Sequence, residues 1–404
     1  MSASFQDSMY YVTIGEIIRN YRQQANLSIT QLAHMTRISK GVISKIENAD
    51  TRRPELKTLK PIVEQLHIPY TEIIEAYLLV EPRLEILEEL LEDALRLGNL
   101  QLVRKIALSY LKSPQEETDS LLRKLYEQTQ QVKDNVLKQA LYDLMAQYAR
   151  DHGLLQHLAQ LFLQLYLMAQ QKEADFESAY YLGKNVLFYA SLLPAEQQIQ
   201  LYQNMSMHAY LLCRYDESIV YSQQLLQMTQ RKHAHTLYAY STLFYSSYAL
   251  EDFQRAKEAF ICYSQISRTS SSEQFRLMRA LLEYRVGNKA TAIRQLKKCL
   301  TLASRKTIQL VVNQLIEIYL DYDHVLNIAS LLEDQSFWNI QPETYLEKRS
   351  CGHFYRLLGQ YYQRLGEYKQ AEQSYLHSLI CYGDYHPQGK QECLNRLFYL
   401  YQHR

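Results

Sequence analysis

Four residues, Lys40, Gly41, Ser44 and Lys45, fall at spacings that gather them on one side of a short helix, and Arg52 and Arg53 follow closely. Lysine ammonium groups there can donate to guanine O6 and N7, and a serine hydroxyl can serve either base type. Two arginines in a loop suit phosphate oxygens, which position a reader on a duplex without specifying sequence. A helix bearing this set, with its N-terminus exposed, fits a major groove.

The flanking sequence supplies the elements that would hold such a helix. Ile14, Ile17, Ile18 and Tyr21 recur at helical spacing within Thr13–Gln24, with Arg19 and Arg22 on adjacent faces. Asn26-Leu27 ends that run. Ser28-Ile-Thr-Gln31 reads as a capping box that opens a second short helix, continued by Leu32 and Ala33. Ser39 is an N-cap for the third helix, Lys40–Asn48, with Val42, Ile43 and Ile46 as its apolar face. Pro54 precedes a fourth helix over Glu55–Leu66, and Pro69 a fifth. Between Thr13 and Pro69 nine Lys/Arg face five Asp/Glu, whereas the whole chain carries a net charge of only +1. A positive module on a near-neutral body is the electrostatic footprint of a DNA reader.

The segment Leu27–Pro54, LSITQLAHMTRISKGVISKIENADTRRP, resembles the lambda/434 repressor-type (XRE) helix-turn-helix. By that likeness Lys40, Gly41, Ser44 and Lys45 occupy recognition-helix positions, with Ser39 capping the helix. Ser28, Arg52 and Arg53 occupy backbone-contact positions. Arg22 and Glu47 match a pair that ties the first helix to the third. Two positions depart from the pattern: Arg37 replaces the usual turn glycine, and Ile29 replaces a polar residue often used on DNA.

Composition narrows the rest. Gly and Pro number 11 and 8 in 404 residues, as expected of an almost wholly α-helical chain. The six cysteines, Cys213, Cys262, Cys299, Cys351, Cys381 and Cys393, form no CxxC pair and read as reduced thiols. The histidines show no zinc-protease spacing; His233-Ala-His235 is an isolated pair, so neither metal nor cofactor is expected. No apolar run approaches the ~20 residues that span a bilayer. Met1–Tyr10 lacks the features of an export signal, so a cytoplasmic, non-membrane protein is expected.

Past Pro82 the chain reads as successive helices. Tyr355, Leu358, Gly359, Tyr362, Gly366, Tyr368, Ala371 and Tyr375 lie close to the tetratricopeptide signature. Gly359 and Ala371 are small enough to let paired helices approach, and the aromatics fill the gaps to the next pair. Weaker copies place their small residue at Ala179, Ser218, Ala256 and Ala292, following Phe176, Tyr215, Phe253 and Gly287. Gly98 with Val103 marks an early copy, and Asp323 with Asn327 a degenerate late one, giving eight or nine helix pairs. Stacked pairs form a right-handed superhelix whose concave wall is lined by the first helix of each repeat. Asn204, Met207, His208, Tyr240, Tyr245, Arg276, Asn313 and Asn395 are the side chains suited to that wall. An asparagine can pair with the N–H and C=O of a peptide together. The fold class is therefore all-α, with a DNA-reading domain over 1–69, a linker helix over 70–82 and a repeat domain over 83–404.

This order of domains resembles the peptide-pheromone-responsive regulators of Gram-positive bacteria, of the PlcR and NprR type (the RRNPP family). The resemblance implies a non-enzymatic homodimer that binds double-stranded DNA, in an inverted-repeat operator, and a short signalling peptide in the groove. It also implies that groove asparagines clamp the peptide backbone, which points to Asn204 and Asn313, with His208, Tyr245, Arg276 and Asn395 as further candidates. Two alternatives stay open: a Rap-like action on response-regulator phosphorylation, for which Gln128, Gln130 and Gln131 are the candidates, and a scaffold whose array binds a protein.

Overall fold

The computed structural model describes residues 13–80, 82–172, 176–229, 233–267, 272–304, 307–322, 324–333 and 341–402. Met1–Tyr10 and Asp323, used above, lie outside this set. The described residues form helices without strands and divide into two compact units, up to Leu161 and from Phe162.

The first unit holds α1 (Ile14–Gln24), α2 (Ile29–Thr36), α3 (Lys40–Glu47), α4 (Leu56–Gln65) and α5 (Tyr70–Leu78), then α6 (Leu84–Arg96), α7 (Leu100–Leu111), α8 (Thr118–Gln131) and α9 (Asn135–Asp151). α10 (Leu155–Ala169) carries the boundary. Both serine caps form. The Gln31 amide donates to Ser28 Oγ at 3.2 Å while Ser28 N donates back to Gln31 Oε1 at 2.8 Å, and Val42 N donates to Ser39 Oγ at 3.3 Å. Ile18, Leu32, Ile43, Leu59 and Ile62 are fully buried and make the core of these short helices. The segment expected to link two domains is itself packed. α5 buries Ile73, Ile74 and Tyr77, and Tyr77 Oη donates to the Pro54 carbonyl at 2.6 Å. α6 and α7 are tied to the same body through Lys60–Glu89 at 2.8 Å, Tyr70–Asp93 at 2.8 Å and Lys105–Glu75 at 2.5 Å. The first repeat helices are therefore continuous in packing with the helices that precede them.

The second unit holds α11 (Phe176–Leu187), α12 (Ala195–Leu211), α13 (Tyr215–Met228), α14 (His233–Ala249), α15 (Phe253–Ile266), α16 (Glu273–Arg285), α17 (Lys289–Leu300), α18 (Ile308–Asp321), α19 (Val325–Leu332), α20 (Tyr345–Arg364), α21 (Tyr368–Tyr382) and α22 (Pro387–Gln402). The small residues Ala179, Ser218, Ala256, Ala292 and Ala371 are buried, whereas Asn327, expected to mark the degenerate late copy, is exposed and Ile328 beside it is buried instead. A Cβ at Gly359 would stand 2.4 Å from the Tyr375 ring, so the absent side chain is what seats that tyrosine. Turns between paired helices place one residue at positive φ two positions before the second helix. Gly287 (φ 93°) and Gly366 (φ 78°) do so without steric penalty. Cys213 (φ 62°) and Glu251 (φ 61°) take the same place despite their side chains, which is why glycine spacing alone underreports the repeat.

Within this unit distant helices meet. Arg349 on α20 donates through Nη1 to the Tyr210 carbonyl of α12 at 2.8 Å and through Nη2 to Tyr215 Oη at 2.9 Å. The Phe176 and Tyr345 rings lie 4.3 Å apart, and Cys213 Sγ lies 3.7 Å from His386 Nε2. The array thus turns back on itself and encloses space along its first helices.

Candidate nucleic-acid interface and repeat-array cavity

α3 is positioned by two devices. The first is an ion pair: Arg22 Nε and Nη2 donate to the two Glu47 carboxylate oxygens at 2.7 and 2.8 Å, while Nη1 donates to the Leu27 carbonyl at 2.8 Å. The Glu47 side chain is 1% exposed and that of Arg22 12%. Donating to the Glu47 carboxylate raises the guanidinium pKa further. This is the pair expected from the motif. The second is Gly15, where an added Cβ would stand 2.1 Å from the Ile46 carbonyl oxygen. α1 and α3 therefore meet backbone to backbone. The apolar spacing of α1 masked this glycine, because it lies between the isoleucines of the same buried face.

The outer side of α3 presents Lys40, Gly41 and Lys45 to solvent, with Ser44 half-buried. At about 100° per residue, Gly41, Ser44 and Lys45 span roughly a third of a turn. No atom of the chain lies within 4 Å of where a Gly41 Cβ would be. A glycine inside a helix costs roughly 0.5–1 kcal/mol relative to alanine, and nothing within this protein requires it. Val42, assigned above to the apolar face, is 40% exposed instead. Ile43 and Ile46 fill the contact with α1 and α2, and Val42 is turned toward Lys45, where an apolar group can meet a thymine methyl.

The serines serve as caps: Ser28 Oγ also donates to Gln31 Oε1 at 2.9 Å. Arg52 is exposed. Arg53 is exposed too, but its Nε donates to the Val80 carbonyl at 2.6 Å, so it also pins the chain after α5. Arg37 holds φ 58°, ψ 25° at the end of α2, the left-handed conformation for which glycine is usual.

The array contains a cavity of about 350 Å³, lined by α12, α14, α16, α18 and α20, the first helices of successive pairs. Its size falls near the lower end of ligand sites, about 300–1,000 Å³. Tyr245 and Asn313 line it, as do Met207, Tyr210, Gln274 and Arg349. Asn313 is 2% exposed. Its Nδ2 donates to the Ser350 carbonyl at 2.8 Å, while its Oδ1 has no donor. An unpaired buried oxygen costs about 1–3 kcal/mol. The Arg349 guanidinium lies 4.3 Å from the Tyr210 ring centre, and no carboxylate among the described residues pairs with it. His353, also on the wall, receives a hydrogen bond at Nε2 from Arg356 at 3.1 Å. Burial and the nearby Arg356 and Arg349 charges hold its pKa far below the usual value, so this imidazole is neutral.

The other expected groove residues stand elsewhere. Asn204 lies one turn before Met207 on α12, donates to the Gln200 carbonyl at 2.8 Å, and opens onto a separate concavity with Gln203 and His235. His208 is a core residue and is corrected here: it is fully buried, with its ring 4.1 Å from that of Phe176. Its Nε2 donates to the Phe176 carbonyl at 2.8 Å, and burial lowers its pKa to about 4. Arg276 lies outside the lining of the cavity. Asn395 is exposed on α22 and accepts from Gln391 at 3.0 Å. Arg349 was missed because the repeat signature starts at Tyr355, whereas α20 begins at Tyr345. Among the described residues no cluster of three metal-ligating side chains occurs, and no helix is long and apolar enough to cross a membrane. The His233 side chain lies outside that set.

A helix-turn-helix family model matches residues 18–73. The transcriptional repressor RghR of Bacillus subtilis (strain 168) is 32% identical over 109 residues, 24% of this chain and 79% of RghR. The transcriptional regulator SlrR of the same organism is 40% identical over 63 residues, 16% of this chain and 41% of SlrR. The chain thus spans less than half the length of SlrR. A tetratricopeptide repeat protein from Parabacteroides merdae superposes on 69% of this chain and 98% of its own, with a TM-score of 0.54 and 14% identity, which establishes the repeat fold. PlcR of Bacillus thuringiensis, solved with the peptide PapR7 and DNA, aligns over 96% of this chain and 99% of its own at 15% identity. Its TM-score is 0.28, a correspondence of chain length rather than of superposed fold.

Proposed function

The chain belongs to the helix-turn-helix transcriptional regulators, and from that premise we propose that it reads an inverted-repeat operator as a homodimer under the control of a short signalling peptide. Lys40, Gly41, Ser44 and Lys45 face the major groove, with Val42 beside them. Ser28, Ser39, Arg52 and Arg53 approach the phosphates. The repeat domain, 83–404, holds the peptide and the dimer contact.

The observation that carries the peptide reading is the cavity wall. Asn313 Oδ1 is a covered acceptor without a donor, and a rotation of the side chain on the cavity wall turns it onto a backbone N–H of an extended segment. Arg349 has used one hydrogen on each terminal nitrogen and retains donors for a carboxylate. An enclosed cation beside an unmatched carbonyl suits a peptide presenting N–H groups and one carboxylate, with Tyr245 and Met207 covering its apolar part. Gln274 is occupied by Ser241.

Control of DNA binding requires that the peptide favour one dimer arrangement over another. By linkage, operator DNA must then change peptide affinity by the factor with which peptide changes DNA affinity. Labelled peptides from small pro-peptides encoded beside the gene are titrated with and without operator. Saturable binding that weakens at least tenfold in Asn313→Ala and Arg349→Ala supports the proposal. No saturable binding by any such peptide overturns it in favour of a protein partner. Footprinting on the promoter tests the dimer: protection of a single non-palindromic half-site overturns it.

A further inference from the structure

We infer that Cys351 and Cys381 form a peroxide-sensitive dithiol that closes to an intrachain disulfide between α20 and α21. All six cysteines are free thiols. Cys381 Sγ donates to Cys351 Sγ at 3.3 Å, across 30 residues of chain. A disulfide bond is about 2.0 Å long, so the sulfurs need to close by only about 1.3 Å.

The two helices already approach closely at this level, independently of the thiols. A Cβ on Gly352, next to Cys351, would stand 2.5 Å from the ring of Tyr382, next to Cys381. Ser378 Oγ on α21 donates to the Gly352 carbonyl on α20 at 2.6 Å. Access is one-sided. Cys351 is 7% exposed, whereas Cys381 is partly exposed, so a small oxidant reaches the pair from the Cys381 side. The hydrogen bond from Cys381 lowers the Cys351 pKa and raises that of Cys381, so Cys351 is the thiolate of the pair and Cys381 the sulfur that keeps its proton.

The oxidant is a hydroperoxide, and the atoms balance. The thiolate attacks one peroxide oxygen, the O–O bond breaks, and a sulfenic acid and hydroxide result. The hydroxide takes the proton of the remaining thiol and leaves as water. The new thiolate attacks the sulfenic sulfur, the S–S bond forms, and a second hydroxide leaves as water with the proton released when the first thiol ionised. Two thiols are oxidised, and one peroxide is reduced to two waters. The consequence is local to the cavity: α20 supplies Leu346, Arg349, Ser350 and His353 to its wall, and the bond fixes that helix to α21.

The test treats the full chain with hydrogen peroxide, alkylates the remaining thiols and maps the peptides without reduction. The expected result is a crosslinked Cys351–Cys381 peptide, loss of two hydrogens from the intact mass, four alkylated cysteines, and reversal by dithiothreitol. Cys351→Ser and Cys381→Ser each abolish the crosslink, whereas Cys262→Ser keeps it. Circular dichroism establishes that each variant is folded. Retention of six alkylated cysteines under conditions that oxidise glutathione, or oxidation of Cys381 to a sulfinic acid without pairing, overturns the inference.

Discussion

The two compact units bring helices into contact by different chemistry. In the first, Gly15 lets α1 lie against the backbone of α3, and a nearly buried bidentate ion pair fixes the angle between them. In the second, Gly183, Gly352 and Gly359 receive ring or thioether atoms, and fully buried tyrosines such as Tyr180 and Tyr375 fill the gaps. A contact fixed by charge and direct hydrogen bonds admits one orientation. A contact built from rings spreads its energy over many dispersion contacts. The first suits a helix that must present side chains to a groove; the second suits a wall assembled from many repeats.

The sharpest way to break this contrast is Arg22→Ala. It leaves the buried Glu47 with only the exposed Arg19, 3.7 Å away, and the expected loss is about 3 kcal/mol, whereas replacing both residues with apolar ones costs far less. Hydrogen exchange on the full chain, read separately for α1–α5 and α11–α22, checks this. Equal protection in single and double variants would remove the pair from the account. Gly15→Ala is expected to cost about 3 kcal/mol, the upper end of overpacking, because a backbone carbonyl cannot turn aside. Gly359→Ala should cost less, since the obstacle is a ring. Thermal melts of the two variants rank them, and the reverse order would contradict the distinction.

Acid should separate the units next. Burial lowers the pKa of His208 to about 4 and of His386 to about 3, and holds His353 well below its usual value. An unfolded imidazole gains its proton below about pH 6.5, but the folded His208 only near pH 4. The folded array therefore has its full histidine contribution above pH 6.5 and loses it as pH falls toward 4, by roughly 3 kcal/mol for His208 alone. His208→Gln should flatten that dependence in urea melts between pH 7 and 4.5. The smallest effect belongs to Arg37→Gly, which removes a left-handed non-glycine residue and should stabilise the first unit by about 1 kcal/mol.

Much of the first unit was legible in the sequence. Caps and the apolar face of α1 rest on contacts within a short stretch of chain, and the Arg22–Glu47 pair was implied by the resemblance to the repressor-type motif. Val42 was misplaced because a helix as short as α3 has room for only two fully buried apolar positions facing α1 and α2. In the array, the small residues at 179, 218, 256, 292 and 371 were legible because each packs against its own neighbouring helix. Tyr245 and Asn313, both expected on the inner wall, line one cavity, whereas His208, one position along from Met207 on α12, points into the core. A helix turns about 100° per residue, so a one-residue uncertainty in alignment exchanges wall for core.

The resemblance to the repressor-type helix-turn-helix implied the pair that orients α3, and sequence alone determined the helical class, the caps of the short helices and the repeat period. These depend on periodicity, caps and residues close in the chain, where spacing fixes geometry. Tertiary structure alone decided that α20 returns to α12, that Arg349 meets Tyr210 across 139 residues, and that Asn313 is left with an unpaired oxygen in an enclosed cavity. It also decided that Cys351 and Cys381, 30 residues apart, lie sulfur to sulfur. Such juxtapositions come from small rotations accumulated over successive helix pairs, and no local pattern of residues encodes where that sum brings the chain back upon itself.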